Sequence, residues 1–376
     1  MSPNFIENKV VVKSPGRINL IGEHIDYNGG YVLPAAINLK VTLKIQKTDN
    51  NFCAVSSEHA GVLTFDIKQP LKISTTQWEN YILGVVDGLK KKRPGRLGGF
   101  DCDINSELPI GAGISSSAAL ECGLAKGLNS LFDLGLEDIE LIEISRIAEH
   151  NFVGTKCGVM DQFAVTMGQY NKLILLNCEC LEHHLIDADF SPYKIILLNT
   201  NVSHNLASSE YNNRREECEQ ALKIIQKKHP QFTFLADVPE SVIQSLKEKF
   251  PLKVFKRALY VSRENTRTLE AAALIQKGKV QEFGALMYQT HHGLSKNYEV
   301  SCRELDFLAD LTQNLPKVVG SRMMGGGFGG CTINLVKDDF VSTFTHLAQE
   351  QYQKEFGKEL TPIEVATSNG VEILNS

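Results

Sequence analysis

Apolar positions along the chain fall into short continuous runs alternating with stretches of helical spacing. Lys9–Ser14, Val41–Gln46 and Leu63–Ile67 are rich in Val, Ile, Leu and Phe, which predicts strands. Trp78–Lys92 and Ala118–Phe132 carry apolar side chains every three to four positions, and Leu136–Asn151 continues in that style, so helices are expected there. Near residue 190, Asp187, Asp189, Ser191 and Pro192 interrupt the pattern before the apolar run Lys194–Leu198. Helices are expected again at Ser208–His229, Glu264–Lys277 and Val280–Tyr288. Pro316–Ser321 then leads into a glycine cluster and a strand-like Cys331–Val336. Strands and helices mixed in both halves argue for an α+β or α/β protein and against a helical bundle. The break near 190 divides the 376 residues into two expected domains, 1–190 and 191–376, as the length also favours.

Composition narrows the class of partner. At 43% hydrophobic residues the chain has material for a sizeable core, and a formal net charge of −5 favours neither nucleic acid nor an anionic membrane. The basic run Lys90–Arg93 ends in Pro94-Gly95 and reads as a solvated helix end before a turn. The N-terminus shows no secretory apolar region, and runs such as Lys194–Leu198 are too short to span a bilayer. Nine scattered cysteines are expected as reduced, mostly buried thiols, because Cys178 and Cys180 have no second pair at zinc-like spacing. A cytoplasmic protein is expected. No long apolar surface stripe stands out, which favours a monomer binding small molecules.

Three segments carry chemistry. Gly111-Ala112-Gly113-Ile114-Ser115-Ser116-Ser117 opens directly into the helical run that starts at Ala118. Its glycines let backbone N–H groups approach a ligand, its serines supply hydroxyls, and the helix presents its positive end; phosphate suits this, although a serine-capped helix after a flexible turn reads the same way. Gly325-Gly-Gly327-Phe-Gly329-Gly330 matches the dinucleotide fingerprint as a string. However, only 46 residues follow Gly330, with no acidic residue at the required spacing in a strand–helix–strand unit, so a glycine loop packed beside a phosphate site fits better. Gly16-Arg17-Ile-Asn19-Leu-Ile-Gly22-Glu23-His24-Ile25-Asp26-Tyr27-Asn28 gathers the acceptors that a hydroxyl-rich ligand needs once desolvated, unless Arg17 simply pairs with Glu23 or Asp26. No Walker A lysine pattern and no protein-kinase string is present.

Together and in this order the segments resemble the GHMP kinases (galacto-, homoserine, mevalonate and phosphomevalonate kinases), and Arg17–Gly30 is similar to the galactokinase signature, with Ile25 where Thr is usual. Cys157-Gly-Val-Met-Asp161-Gln-Phe163, Asn205-Leu-Ala-Ser-Ser209-Glu-Tyr211 with Arg214-Arg215, and Tyr298-Glu-Val-Ser-Cys302 are further matches. Met324 stands where the family often has Thr, and Gly326 where Ala is usual. The resemblance implies an α+β fold of two domains, the first like domain 2 of ribosomal protein S5 and the second ferredoxin-like, with the active site between them. It implies that Gly111, Ala112, Gly113, Ile114, Ser115, Ser116 and Ser117 wrap the phosphates of ATP, that Ser57 touches the nucleotide, and that Ser117 and Glu149 hold Mg²⁺. Glu23, His24, Ile25, Asp26, Asp161 and Tyr211 would hold the sugar, with Asp161 catalytic and Arg17 its cationic partner. A sugar hydroxyl has a high pKa, so its phosphorylation gains from a carboxylate that accepts the proton and a guanidinium that offsets developing charge. The reaction expected is ATP-dependent phosphorylation of galactose at its 1-hydroxyl. Related 1-kinases of N-acetylgalactosamine, arabinose or galacturonate, and a non-catalytic sugar sensor, remain as alternatives; the presence of Arg17, Ser117, Glu149 and Asp161 argues against the sensor.

Overall fold

The computed structural model describes residues 8–58, 60–109, 111–202 and 207–374, and its elements alternate as the apolar pattern requires. The strands are β1 Lys9–Asn19, β2 Tyr31–Val32, β3 Pro34–Lys47, β4 Phe52–Ser57, β5 Gly61–Asp66, β6 Phe100–Ser106, β7 Lys172–Asn177, β8 His183–Asp187, β9 Tyr193–Asn199, β10 Val318–Met323, β11 Cys331–Lys337, β12 Thr361–Val365 and β13 Glu372–Leu374. The helices are α1 Gln77–Lys92, α2 Ser116–Leu131, α3 Asp138–Ala148, α4 Met160–Met167, α5 Ala207–Gln226, α6 Glu240–Ser245, α7 Leu252–Gln276, α8 Val280–His292, α9 Arg303–Gln313 and α10 Val341–Phe356. Among the described residues, no helix is long and apolar enough to cross a membrane.

One sheet has the order β13-β1-β3-β6-β4-β5, a second β10-β11-β9-β12, and a third, three-stranded one β2-β7-β8. Every pairing is antiparallel except β4 with β6. The described strands before residue 190 lie in the first and third sheets and most of those after it in the second, but β13 returns to pair with β1. Strand β9 explains its own unbroken apolar run. Ile195 and Leu197 face the core that continues under α8 into the first sheet, whereas Ile196 and Leu198 face a second core under α9 and α10. A strand buried on both faces has no use for polar alternation.

Several helices differ in extent from the sequence reading. Helix α7 begins at Leu252, a dozen residues before the expected Glu264, and its first half buries Val254, Phe255, Ala258, Leu259, Tyr260 and Val261 almost without interruption. The basic run Lys90–Lys92 forms the last turn of α1, where cations complement the helix dipole.

Helix α8 crosses β10 at a point where no side chain intervenes. A Cβ on Gly284 would lie 2.0 Å from the Val319 carbonyl oxygen, and one on Gly320 would lie 2.7 Å from the Gly284 Cα. This contact sets the spacing between α8 and β10, the strand that leads into the glycine cluster. Gly284→Ala is therefore expected to cost about 1–3 kcal/mol of overpacking, read as a lower midpoint in urea unfolding at unchanged slope.

Candidate active site

The serine–glycine segment forms an open loop with an uncapped helix. Gly111, Gly113 and Ser115 have φ of 75, 73 and 59°, a left-handed path that two glycines make accessible. Ser115 stands at the cap position of α2, but its hydroxyl does not cap the helix; it donates instead to Asp161. The first-turn N–H groups of α2 thus lack a side-chain acceptor, which is the arrangement that favours an anion. Ala112 and Ile114 are buried and anchor the loop, with the Ile114 carbonyl accepting the Arg17 N–H at 3.0 Å. Beside the loop lies a cleft of about 920 Å³ with Trp78, Tyr81, Leu108 and Leu120 on its apolar side and Ser57, Ser116 and Ser117 among its polar groups. Trp78 and Tyr81 escaped the sequence reading, since on an amphipathic helix they look like core residues.

A second, smaller cavity of about 130 Å³ is lined by Arg17, Asp26, Ser117, Glu149, Asp161 and Tyr211, with Glu23 and His24 on the same wall. Ser117 lines both cavities. Of the alternatives open in the sequence for Arg17, the structure selects Asp161. Arg17 Nε and Nη2 donate to the two carboxylate oxygens at 2.7 and 2.8 Å, and Nη1 donates to the Gly113 carbonyl at 2.7 Å. A fork matched to a carboxylate fixes orientation as well as proximity. Asp26 comes close because residue 158 is glycine: a Cβ there would sit 2.1 Å from the Asp26 carboxylate.

Glu23 and His24 border the small cavity with their polar atoms already engaged. Glu23 Oε1 accepts from Arg322 at 2.9 Å and from the Gly325 N–H at 3.0 Å; Oε2 accepts from Asn19 at 2.6 Å and from Arg322 at 2.9 Å. A carboxylate offers about four acceptor positions, and these are filled. His24 lies in the left-handed region at φ 63°, its carbonyl held by Asn28 Nδ2 at 2.7 Å. Its Nε2 is 3.2 Å from the Gly326 carbonyl, which can only accept, so Nε2 carries the proton and Nδ1 accepts from the Tyr27 hydroxyl at 2.9 Å. Burial pushes the imidazole down to about 3, consistent with this neutral form. Ile25 does not reach the cavity, because its side chain is fully buried in a core with Val32 and Ala236. Asn205 and Leu206 of the third matched segment lie outside the described residues, whereas Arg214 donates to the carbonyls of Tyr298 and Glu299 and Arg215 stacks over Tyr27.

The electrostatics are unbalanced toward negative charge. Burial, with the nearby Asp161, raises Asp26 to about 6. Burial also raises Glu149 to about 7, opposed by a hydrogen bond from Ser117. Glu121, fully buried behind them on α2, is raised well above the carboxylate range by burial and by Glu149, and its Oε1 has no hydrogen-bond partner. Among the described residues no group of three or more His, Cys, Asp or Glu is arranged to hold a metal by itself.

Known proteins resemble this chain over nearly its whole length. Residues 3–47 match the galactokinase galactose-binding signature, residues 80–169 the N-terminal domain of GHMP kinases and residues 271–341 their C-terminal domain. A galactokinase of Clostridium acetobutylicum is 38% identical over 367 residues, covering 96% of this chain and 94% of its own. One from Thermotoga maritima is 39% identical over 361 residues, covering 96% and 99%. The crystal structure of Lactococcus lactis galactokinase complexed with galactose superposes with a TM-score of 0.94 at 34% identity, covering 98% of this chain and 96% of that one. Mevalonate kinase of Methanococcus jannaschii, at 18% identity and a TM-score of 0.63 over 96% and 98% of the two chains, shares the fold. With such identity across nearly its whole length, this chain belongs to the galactokinase family within the GHMP kinases.

Proposed function

We propose that this chain transfers the γ-phosphoryl group of ATP to the 1-hydroxyl of α-D-galactose, giving galactose 1-phosphate and ADP. One observation carries the reading: an apolar cleft suited to a nucleoside and a small acidic cavity suited to a hydroxyl-rich molecule share Ser117, at the N-terminus of α2. A phosphate chain running from the first cavity to the second would pass over the uncapped N–H groups of that helix. The galactose complex of the Lactococcus lactis relative supports the choice of sugar.

In this reading Trp78 and Tyr81 flank the base, with Ser57 at the polar edge, while residues 111–117 wrap the phosphates. Asp26, Asp161 and Tyr211 bind the sugar, and Glu23 and His24 hold the wall behind it. Asp161, oriented by Arg17, accepts the proton of the attacking hydroxyl, and the guanidinium offsets charge that builds between hydroxyl and phosphoryl group. Most of the remaining catalysis is positioning. Mg²⁺ fits here through Ser117 and Glu149, which are hydrogen-bonded to each other, offer only oxygen donors, and sit in surplus negative charge. Magnesium is commonly held by one or two carboxylates together with substrate phosphates, and it would supply neutralisation of phosphate charge. The division of the chain at residue 190 belongs to the same proposal, with β13 as the segment that crosses back.

Replacing the carboxylate at 161 tests the chemistry: Asp161→Ala is expected to lower kcat by about 10²–10⁴-fold in a coupled ADP assay, with an unchanged circular dichroism spectrum. Near-normal turnover in the folded variant would contradict the role. The raised carboxyls set a pH dependence. Asp26 and Glu149 stay largely protonated below pH about 6, so kcat/KM for the sugar rises as pH increases through 6 to 7 and levels above it. An acid limb near pH about 4, the ordinary carboxyl range, would contradict this. A panel of sugars compared by kcat/KM should rank galactose above N-acetylgalactosamine, arabinose and galacturonate, and the reverse ranking for any of them would reassign the substrate.

A further inference from the structure

Arg322 has no place in the chemistry above, yet it is fully buried and spends every guanidinium nitrogen. It lies on β10 of the second sheet, but its partners are elsewhere. Nε donates to the Leu20 carbonyl at 2.8 Å, Nη2 to the Asn19 carbonyl, and Nη1 to the Met323 carbonyl at 2.6 Å. The same fork grips both oxygens of Glu23 at 2.9 Å. It thereby joins the end of β1 and the sugar-side loop to the strand that leads into the glycine loop.

The glycine loop is held by consecutive residues of that same sugar-side loop. Glu23 accepts from the N–H of Gly325, and His24 donates to the carbonyl of Gly326. On its other side the loop meets the phosphate loop: a Cβ on Gly325 would lie 3.1 Å from the Gly113 carbonyl and 3.8 Å from Arg17 Nη2, and one on Gly326 would lie 3.4 Å from the Tyr211 ring. The backbone at 325–326 is thus wedged between the wall of the sugar cavity and the loop that would carry phosphate.

We propose that Arg322 is a positioning residue for phosphoryl transfer. By fixing Glu23 it sets the glycine loop, and through that loop the spacing between the sugar cavity and residues 111–115, without touching either substrate. The inference rests on the transferase reading above. Its signature is a split between constants, because a misplaced pair of sites still binds each substrate but aligns them poorly.

The test is steady-state kinetics of Arg322→Lys with galactose and MgATP varied separately, on protein shown by circular dichroism and thermal melting to be folded at the assay temperature. Lysine keeps the positive charge and loses the fork. The expected result is a kcat lower by about 10²-fold, with KM for each substrate within about threefold of wild type. An unchanged kcat overturns the proposal, as does a loss confined to KM for the sugar, which would make Arg322 a support for the sugar wall alone. If Arg322→Lys does not fold, Asn19→Ala replaces it: this removes the 2.6 Å bond to Glu23 while leaving the ion pair. A smaller kcat loss at unchanged KM is expected there, and an unchanged kcat again overturns the proposal. Wild type in the same assay separates the two questions. No turnover of any sugar in wild type removes the transferase reading, whereas an active wild type with an equally fast folded variant removes only the positioning role.

Discussion

One ion pair ties together the parts on which everything else depends. Arg17, near the end of β1, is forked onto Asp161 in the first turn of α4 and also bonded to the Gly113 carbonyl of the loop that opens α2. Three segments far apart in sequence meet at one guanidinium. The pair is only partly shielded, since the Arg17 side chain is 5% exposed and that of Asp161 29%. A buried charge that lost its partner would be costly, so neither residue is free to wander in the absence of ligand. The hydroxyl of Ser115 completes the arrangement: because it is spent on Asp161, the helix behind it remains uncapped. A single geometry therefore orients the carboxylate and leaves the N-terminus of α2 without a side-chain cap.

The mixed α+β class and the loops that line the two cavities were both legible in the sequence. Residues 16–30 and 111–117 concentrate glycine, serine and charge within a few positions, and such loops announce themselves without tertiary information. Arg17 was ambiguous only in its partner, because Glu23 and Asp26 are near in sequence and Asp161 is not. Glu121, Trp78, Tyr81 and Arg322 were invisible for a different reason. Each is compatible with ordinary packing in its own segment, and what distinguishes it is a neighbour distant in sequence. Glu23 and His24 show the opposite limit. Their motif marks them for a ligand and they border the small cavity, but only the tertiary structure shows that their hydrogen-bonding atoms are already taken by Arg322, Asn19, Tyr27 and the glycine loop.

Element boundaries failed where burial is two-sided. The first half of α7 buries Arg257–Ser262 without a break, which hides its helical period, whereas β6 alternates Phe100, Cys102 and Ile104 with Asp101 and Asp103 on one buried face and is missed because it is short. Amphipathic helices such as α1 and α2 were legible because one face meets water. The chain is thus easiest to read where the protein is least enclosed.

The pairing of β1 with β13 joins Val11 to Leu374, across almost the full length of the chain. Until that contact forms, one long edge of the first sheet stays open, with its backbone donors and acceptors unpaired on the outer side. During synthesis the sheet that carries Arg17 must therefore wait for every intervening element, including the whole second sheet, before its edge is covered. Such non-local closure slows folding and prolongs exposure of an aggregation-prone edge. The molecule is closed like a clasp, and the clasp lies on the strand whose far end bears Arg17, the guanidinium forked onto Asp161.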